Sequence, residues 1–516
     1  TEVLAGLELV DPAEYLGRLT SPYEHAGQPT HRQDSVPVEI KAHHDISNIL
    51  FYLAEQARIS AGNDIRDIYV LGQNVTPDDV TSIQAGHDIL FSTGVSTNAG
   101  IELGGPGQLV VMAGNRIDLG ATKGIQSVGN VYNPALGQTG SSINVISGVF
   151  VEDFDPFEAG TGFFGRLEQF GKEMSALKNG SFLDDETGEE IPLEIEMVES
   201  WGEEYTRLVE GVSDYEEVPE DTRLSLYDLR VADARATVIE PYLGEEPYGD
   251  GSIDMIRSQI VTASGGDIGI MATGDLNVGE TAFSTEAKRE STGINTQYGG
   301  DIDIFTVGDV NVNEARVMTW FGGDIAIWSD QGNINAGKGS KAQVNTSQSK
   351  LINVGTEEAP EYVLQRQPAA VGSGLRTLTF DPDGLEGPMS GPLQGNIILS
   401  APEGAIDAGE AGISGRNVTL AAAELVNAEN ITVSGGASGV PTGSDDAGSL
   451  GALAGTGSLT ETSSLAEENA GLDAAKQRAE QDQSGMETAF TPKWLRVEFV
   501  GFEGGTSGEE AQDSRE

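Results

Sequence analysis

Three phrases decide the reading of this chain: SGGDIGIMATGDLNVG from Ser264, YGGDIDIFTVGDVNVN from Tyr298 and FGGDIAIWSDQGNINAG from Phe321. Each opens on a Gly-Gly-Asp turn, runs through four or five alternating apolar and polar residues, turns again at Gly-Asp or Gly-Asn, and closes on a second short run. Asp301 and Asp324 stand 23 residues apart, and Asp301 and Asp309 stand 8 apart. Short strands at such offsets mark a backbone coil that stacks on its neighbours, because one coil cannot bury its apolar face alone. Alternation within DIDIF and DIAIW puts Ile302, Ile304, Ile325 and Ile327 on one face and the Asp, Ala and Trp positions on the other. Stacking then builds ladders of inward Ile and Val, with Gly and Asn supplying left-handed corners. The expected fold is all-β, a parallel β-solenoid (β-helix) with a partly helical acidic insertion.

Outward from these phrases, residues 1–150 read as irregular coils. The turn AGNDI at Ala61 returns in QAGHDILFSTG from Gln84, and Gly62 to Gly86 is 24 residues. Val111, Ile117 and Leu119 fit strands with one buried face. Residues 151–250 change texture and hold 28 acidic residues against 7 basic. Phe164, Leu167, Phe170 and Met174 there follow a helical spacing, and two further stretches, IEMVESWGEEYTRLVEGV and RLSLYDLRVADARATVIEPYL, also read as helices. This segment reads as an insertion packed on one flank of the stack, either a recognition module or a cap. Residues 251–435 carry the GGDI coils, with a looser Pro- and Gly-containing stretch at 355–393. Residues 436–490 read as a Gly/Ser/Ala-rich linker and a marginal helix. Residues 491–516 read as a C-terminal strand and acidic tail. In that strand Trp494, Arg496 and Glu498 alternate with Leu495, Val497 and Phe499, and Trp494, Leu495, Val497 and Phe499 are the candidate interaction residues for docking on the body or on a neighbouring molecule's open edge.

Composition narrows the classes. Hydrophobic residues make up 38% and aromatics 6%, lean for several separate cores, whereas Gly reaches 68 of 516 and gathers at turns. The 82 acidic and 29 basic residues leave a formal net charge of −53, which disfavours nucleic acid and anionic membranes as partners and favours cations or a saline medium. There is no cysteine, hence no disulfide and no thiolate metal site. No apolar run approaches the roughly 18 residues of a membrane span, and no signal peptide opens the chain. A start at Thr1 rather than Met reads as a mature or excised piece of a longer protein.

The run GSIDMIRSQIVTASGGDIGIMATGDLNVG, the next two GGDI phrases and WSDQGNINAGKG from Trp328 closely resemble the C-terminal conserved region of very large filamentous-haemagglutinin-like exoproteins. The closing WLRVEFVGF is similar to the end of such chains. The resemblance covers about residues 250–345 and the C-terminus. It implies a right-handed parallel β-helix, a Gram-negative source and export through an outer-membrane partner by two-partner secretion. It also implies an extracellular or cell-surface role as adhesin or matrix component. That family's N-terminal secretion domain is not visible here, and its C-terminal region brings no residue roles to carry over.

The turn aspartates Asp267, Asp301, Asp303 and Asp324 invite a calcium reading, since carboxylates and turn carbonyls are suitable oxygen ligands. The calcium-binding nonapeptide pattern is not present, and Asp after Gly-Gly serves equally as an ordinary turn residue. No cofactor other than calcium is expected. Asp301, Asp303, Arg316 and Asp324 would suit a polysaccharide lyase or hydrolase if their coils brought them together, but outward Asp on consecutive coils is also the ordinary solvated face. His43 and His44 adjoin Asp45, yet neighbours on a strand point opposite ways, so a shared metal is not expected. No GxSxG, HExxH or P-loop pattern occurs. Trp320, Trp328 and Phe305 would stack on sugars if exposed, or pack under the insertion if not. The expected protein is a non-enzymatic adhesive rod that associates with itself, by its ends or by its C-terminal strand, and contacts host or neighbouring cells or polysaccharide. The alternative is a carbohydrate-active β-helix enzyme.

Overall fold

A computed structural model describes residues 35–130, 139–149, 162–243, 249–281, 292–339, 372–379 and 391–440, with the backbone of short strands at Glu2–Ala5, Lys350–Asn353 and Tyr362–Gln365. The linker and C-terminal strand read at 436–516 fall, beyond residue 440, outside the described residues, as do Trp494, Leu495, Val497 and Phe499.

The chain winds through three strands per coil, and every strand pairs in parallel with its counterpart one coil away. In one coil these are Ile302–Thr306, Val310–Asn311 and Arg316–Thr319, and in the next Ile325–Ser329, Ile334–Asn335 and Gly374–Thr377. The fold is thus a parallel β-helix with three ladders. The third ladder is an 11-stranded sheet. The first and second merge into a 19-stranded sheet because Ile397–Asp407 and Val418–Val426 run unbroken through both. Ten steps of about 4.8 Å carry the first ladder from Val38–Ala42 to Ala437–Ser438, about 48 Å in all. Residues 162–243 and the hairpin Lys350–Asn353/Tyr362–Gln365 stand outside the coils.

Register explains the stack. In the first ladder Leu109, Ile143, Ile268, Ile302, Ile325, Ile397 and Val418 fall in line, with Val111, Val145, Ile270, Ile304, Ile327, Leu399 and Leu420 beside them. The second ladder aligns Ile65, Ile89, Ile117, Ile253, Leu276, Val310, Ile334 and Ile406. The third aligns Val70, Ile101, Ile125, Ile260, Ile294, Val317, Leu375 and Ile413. All of these side chains are buried in one continuous core. Each contributes about 1.5–3 kcal/mol of transfer free energy, so the core grows in proportion to coil number.

The corners use the residues the sequence supplied. Between second and third ladders the chain needs one left-handed residue, and Asn48, Asp67, Asn313 and Asn427 take it at φ near 54°, as Gly279, Gly337 and Gly409 do elsewhere. Before the first ladder, Gly300 and Gly323 lie at φ 96° and 93°, and a Cβ on either would run into the glycine carbonyl of the preceding coil. That is why the phrase is Gly-Gly-Asp.

The acidic insertion leaves coil five after Ser142–Ser147 and returns at Ile253–Met255. Its helices are Phe163–Asn179, Ile195–Ser200, Glu203–Leu208 and Glu220–Ala234, the last continuing through a π turn, Arg235–Ile239. The expected helical spacing falls on the first of these. Among the described residues no helix is long and apolar enough to cross a membrane. Ala176, Leu177, Ile195, Val198, Tyr205, Tyr215, Val218 and Leu226 give the insertion its own small core.

Truncating the inward row should be costly. Ile304→Ala is expected to lower unfolding stability by about 2–5 kcal/mol in urea titration, whereas a change at exposed Leu224 should stay within about 0.5 kcal/mol.

Candidate functional site

The outward side of the first ladder is where the fold departs most from a plain stack. Its register lines up Met112, Ile146, Met271, Phe305 and Trp328, followed by Ser400 and Ala421. An outward apolar row of this length would be an exposed sticky stripe, but the insertion covers it. Phe163, Phe164, Leu167, Met174, Tyr227, Val231, Val238 and Ile239 pack on the row as a second core. Phe163 meets Phe305 edge to face at 5.2 Å between centroids. Phe305 and Trp328, candidates for sugar stacking, are therefore buried beneath helices and unavailable to a ligand. Trp320 lies on another side and is half-buried.

Polar anchors fix the docking. Arg235 donates from Nε to both carboxylate oxygens of Asp330 at 3.0 Å, from one terminal nitrogen to the Asp330 carbonyl and from the other to Glu403 at 2.7 Å. The indole N–H of Trp328 donates to the same Asp330 at 3.4 Å. Within the segment WSDQGN, then, Trp and Asp together form the receptor for the insertion. Lys178 donates to the carbonyl of Ala422, and Ser175 lies 2.9 Å from Ser438 across the last coils. Arg230 binds Glu173 under Phe170 and Trp201, its guanidinium 4.2 and 4.7 Å from their rings. Cations are scarce in this insertion, and several of them are spent on holding it together or in place.

Beside the apolar row stands the row of aspartates singled out by sequence. Asp267, Asp301 and Asp324 sit one above another at the corner before the first ladder. The N–H of Asp301 donates to Asp267 at 2.9 Å, that of Asp324 to Asp301 at 2.7 Å and that of Asn396 to Asp324 at 2.7 Å. Each carboxylate therefore ties its coil to the next, a different role from bonding its own turn. Asp303 lies on the outward face of the strand, in register with Gly269 and Ala326. The structure does not bring Arg316 to these groups: it begins the third-ladder strand Arg316–Thr319 and is buried there, so the constellation proposed for polysaccharide cleavage is not assembled.

The environment of these carboxyls is unusual. Burial pushes Asp303 well above the ordinary range, and the charges of Asp301, Glu168, Asp267 and Asp324 push the same way. Asp301 keeps an exposed side chain, yet loss of solvation along the row raises it to about 6 against a restraining hydrogen bond from the Asp324 N–H, and raises the half-buried Asp267 and Asp324 as well. Glu168 comes from the first helix of the insertion. Lys172, on the same helix, forms ion pairs with Glu168 and Asp185, each at 2.6 Å. A carboxyl raised on folding binds more protons in the native state, so its stabilisation is full below 3.8 and is lost as pH climbs toward 6.

Sequence reasoning missed a second group. At the corner between first and second ladders Asp64, His87 and Asp88 place one ligand atom each within 4.8 Å of one another. His43 and His44, with Asp45, stand at the same corner one coil earlier, and Asp45 accepts from Asn63 at 2.7 Å. The signal was the recurrence of HHDI, GNDI and GHDI, which stacks a histidine over an aspartate once the coils are set in register.

Residues 322–442 match the family model described as filamentous haemagglutinin family outer membrane protein. The match begins within the third GGDI phrase, takes in Trp328 and Asp330, and runs to the last described coil. It overlaps the range of the resemblance read from sequence at 322–345 and extends past it into the later coils. Residues 322–442 are therefore similar to a region of that family. No curated protein and no solved structure matches the chain.

Two outcomes follow from the docking geometry. Asp303→Asn should raise hydrogen-exchange protection of Phe163–Asn179 at pH 7 and flatten its decline between pH 4 and 7, read by mass spectrometry. Arg235→Met should leave the coil core folded but increase proteolytic cleavage within residues 162–243, because the buried Asp330 would lose its cation.

Proposed function

We propose that this chain is a non-enzymatic structural and adhesive protein of the Gram-negative cell surface, exported with an outer-membrane partner. The observation that carries the reading is a continuous three-ladder stack whose last coils coincide with the filamentous haemagglutinin family match. A stack of this kind supplies length and stiffness, and its loops and insertion supply contacts. The alternative, a polysaccharide lyase or hydrolase, is disfavoured by the position of Arg316 on a different ladder from Asp301 and Asp324.

Self-association belongs to the same reading. The partly buried apolar residues on the main core include Val38, Ile40, Ala42 and Ile49 at its first coil and Leu425, Ala428, Val433 and Val440 at its last. Strand edges and half-covered core at two ends favour end-to-end contact. The segment 494–499, which lies outside the described residues and whose alternation reads as a strand in the sequence, is the proposed donor for such a joint. Contact with host or neighbouring cells or with polysaccharide, and a contribution of calcium at Asp267, Asp301, Asp303 and Asp324, are the remaining parts of the proposal.

The test is to display the chain on a cell lacking it and score adhesion and surface labelling beside polysaccharide degradation. Gain of adhesion with no release of reducing or unsaturated ends is the expected result; depolymerisation without adhesion would replace this reading with the enzymatic one. Electron microscopy of purified chain, with calcium and with chelator, should show end-to-end oligomers that removal of residues 488–516 abolishes. Unchanged assembly in that truncation would end the donor-strand idea.

A further inference from the structure

The corner between the first and second ladders repeats one stitch along the early coils. A side chain preceding the second-ladder strand donates to the aspartate one coil back: Asn63 Nδ2 to Asp45 Oδ1 at 2.7 Å, and Asn115 Nδ2 to Asp88 Oδ1 at 2.7 Å. Between these two coils the position is filled by His87. Its Nδ1 lies 3.1 Å from Asp64 Oδ1 and 3.3 Å from Asp88 Oδ2, so two carboxylates from successive coils converge on one ring nitrogen.

The rest of the geometry is arranged around that convergence. Asp64 Oδ2 is held by Arg66 at 2.5 Å, and Asp88 Oδ1 by Asn115, which leaves Asp64 Oδ1 and Asp88 Oδ2 turned toward the imidazole. Asp64 Oδ1 also accepts the Asp88 N–H at 3.1 Å, and Arg116 Nε stands 4.0 Å from Asp88 Oδ2. Both carboxylates are nearly buried, with 7% and 8% of their side chains exposed, whereas His87 is 56% exposed. Oriented carboxylates with outer partners on their remaining oxygens, plus an imidazole open to water, meet the needs of a borderline divalent ion that keeps solvent ligands. Calcium prefers six to eight oxygens and gains little from a ring nitrogen.

We propose that Asp64, His87 and Asp88 bind a single zinc-type divalent cation across the second and third coils. The ion replaces the proton between His87 Nδ1 and the two carboxylates and staples adjacent coils at their corner. This site is separate from the aspartates under the insertion and does not depend on the adhesive reading.

His87→Asn is the discriminating variant, since Asn63 and Asn115 already fill the same position in neighbouring coils and preserve the stitch. Calorimetric titration of the full chain with zinc chloride should show one ion per chain, weakened at least about tenfold in the variant. Without metal the two should melt alike, and zinc should raise the melting temperature of the wild type alone. Zinc-edge anomalous scattering from wild-type crystals should place a peak between Asp64, His87 and Asp88, which decides the matter even if the variant melts early. No zinc binding by the wild type, equal binding by the variant, or a peak only at His43 and His44 or elsewhere would overturn the proposal.

Discussion

Every coil of this molecule has to return to a point about 4.8 Å above where it began, in register, three strands later. Inward isoleucines reward that return but do not enforce it, because hydrophobic contact is non-directional. The enforcement comes from corner side chains that accept the N–H of the following coil. Asp45 and Asp64, Asp275 and Asp309, Asp267, Asp301 and Asp324 all do this, and Asn333 does it for Ala405. A carboxylate that fixes register in this way cannot be moved to the surface without leaving a donor unmet, at a cost of about 1–3 kcal/mol. The heavy acidic content of the chain is thus partly architectural.

The same constraint sets the electrostatics of the first ladder. Aspartates repeated every coil stack like charges along one row, and the insertion crowds the half-buried Asp267, Asp303 and Asp324 while Asp301 stays exposed. Their raised carboxyls are the consequence of covering a hydrophobic row that lies alongside. Met271, Phe305 and Trp328 are buried under the helices, which are held at Asp330 by Arg235. The most acidic part of the chain is attached by its few basic residues and by apolar contact.

The ladders were legible in the sequence because alternation and Gly-Gly-Asp turns state the coil directly. The helix Phe163–Asn179 was legible through its three-and-four spacing. Its seat was not: alternation says only that Phe305 and Trp328 point outward, and it cannot say what covers them. Nor could spacing alone align distant coils. The corner bonds join residues 19, 24, 34 and 72 positions apart, since loops of different length leave the coil at different corners. The 23-residue period holds from Asp301 to Asp324, while the compact coil from Asp45 to Asp64 takes only 19 residues. The meeting of Asp64 with His87, 23 residues on and one coil away, needed the register as well as the motif.

The covered apolar row requires the insertion to be seated on the first ladder beside the last coils. Gly171, in the first long helix, faces Ser400, and a Cβ built on Gly171 lies 3.7 Å from the Ser400 Cβ, the separation a disulfide requires. The chain has no cysteine of its own, so the pair Gly171→Cys and Ser400→Cys can be oxidised without competing thiols. Mass spectrometry of the digested, oxidised double variant should find a peptide joining the two positions within one chain. Free thiols in the folded double variant, or linkage only between chains, would contradict the seating and with it the covered row.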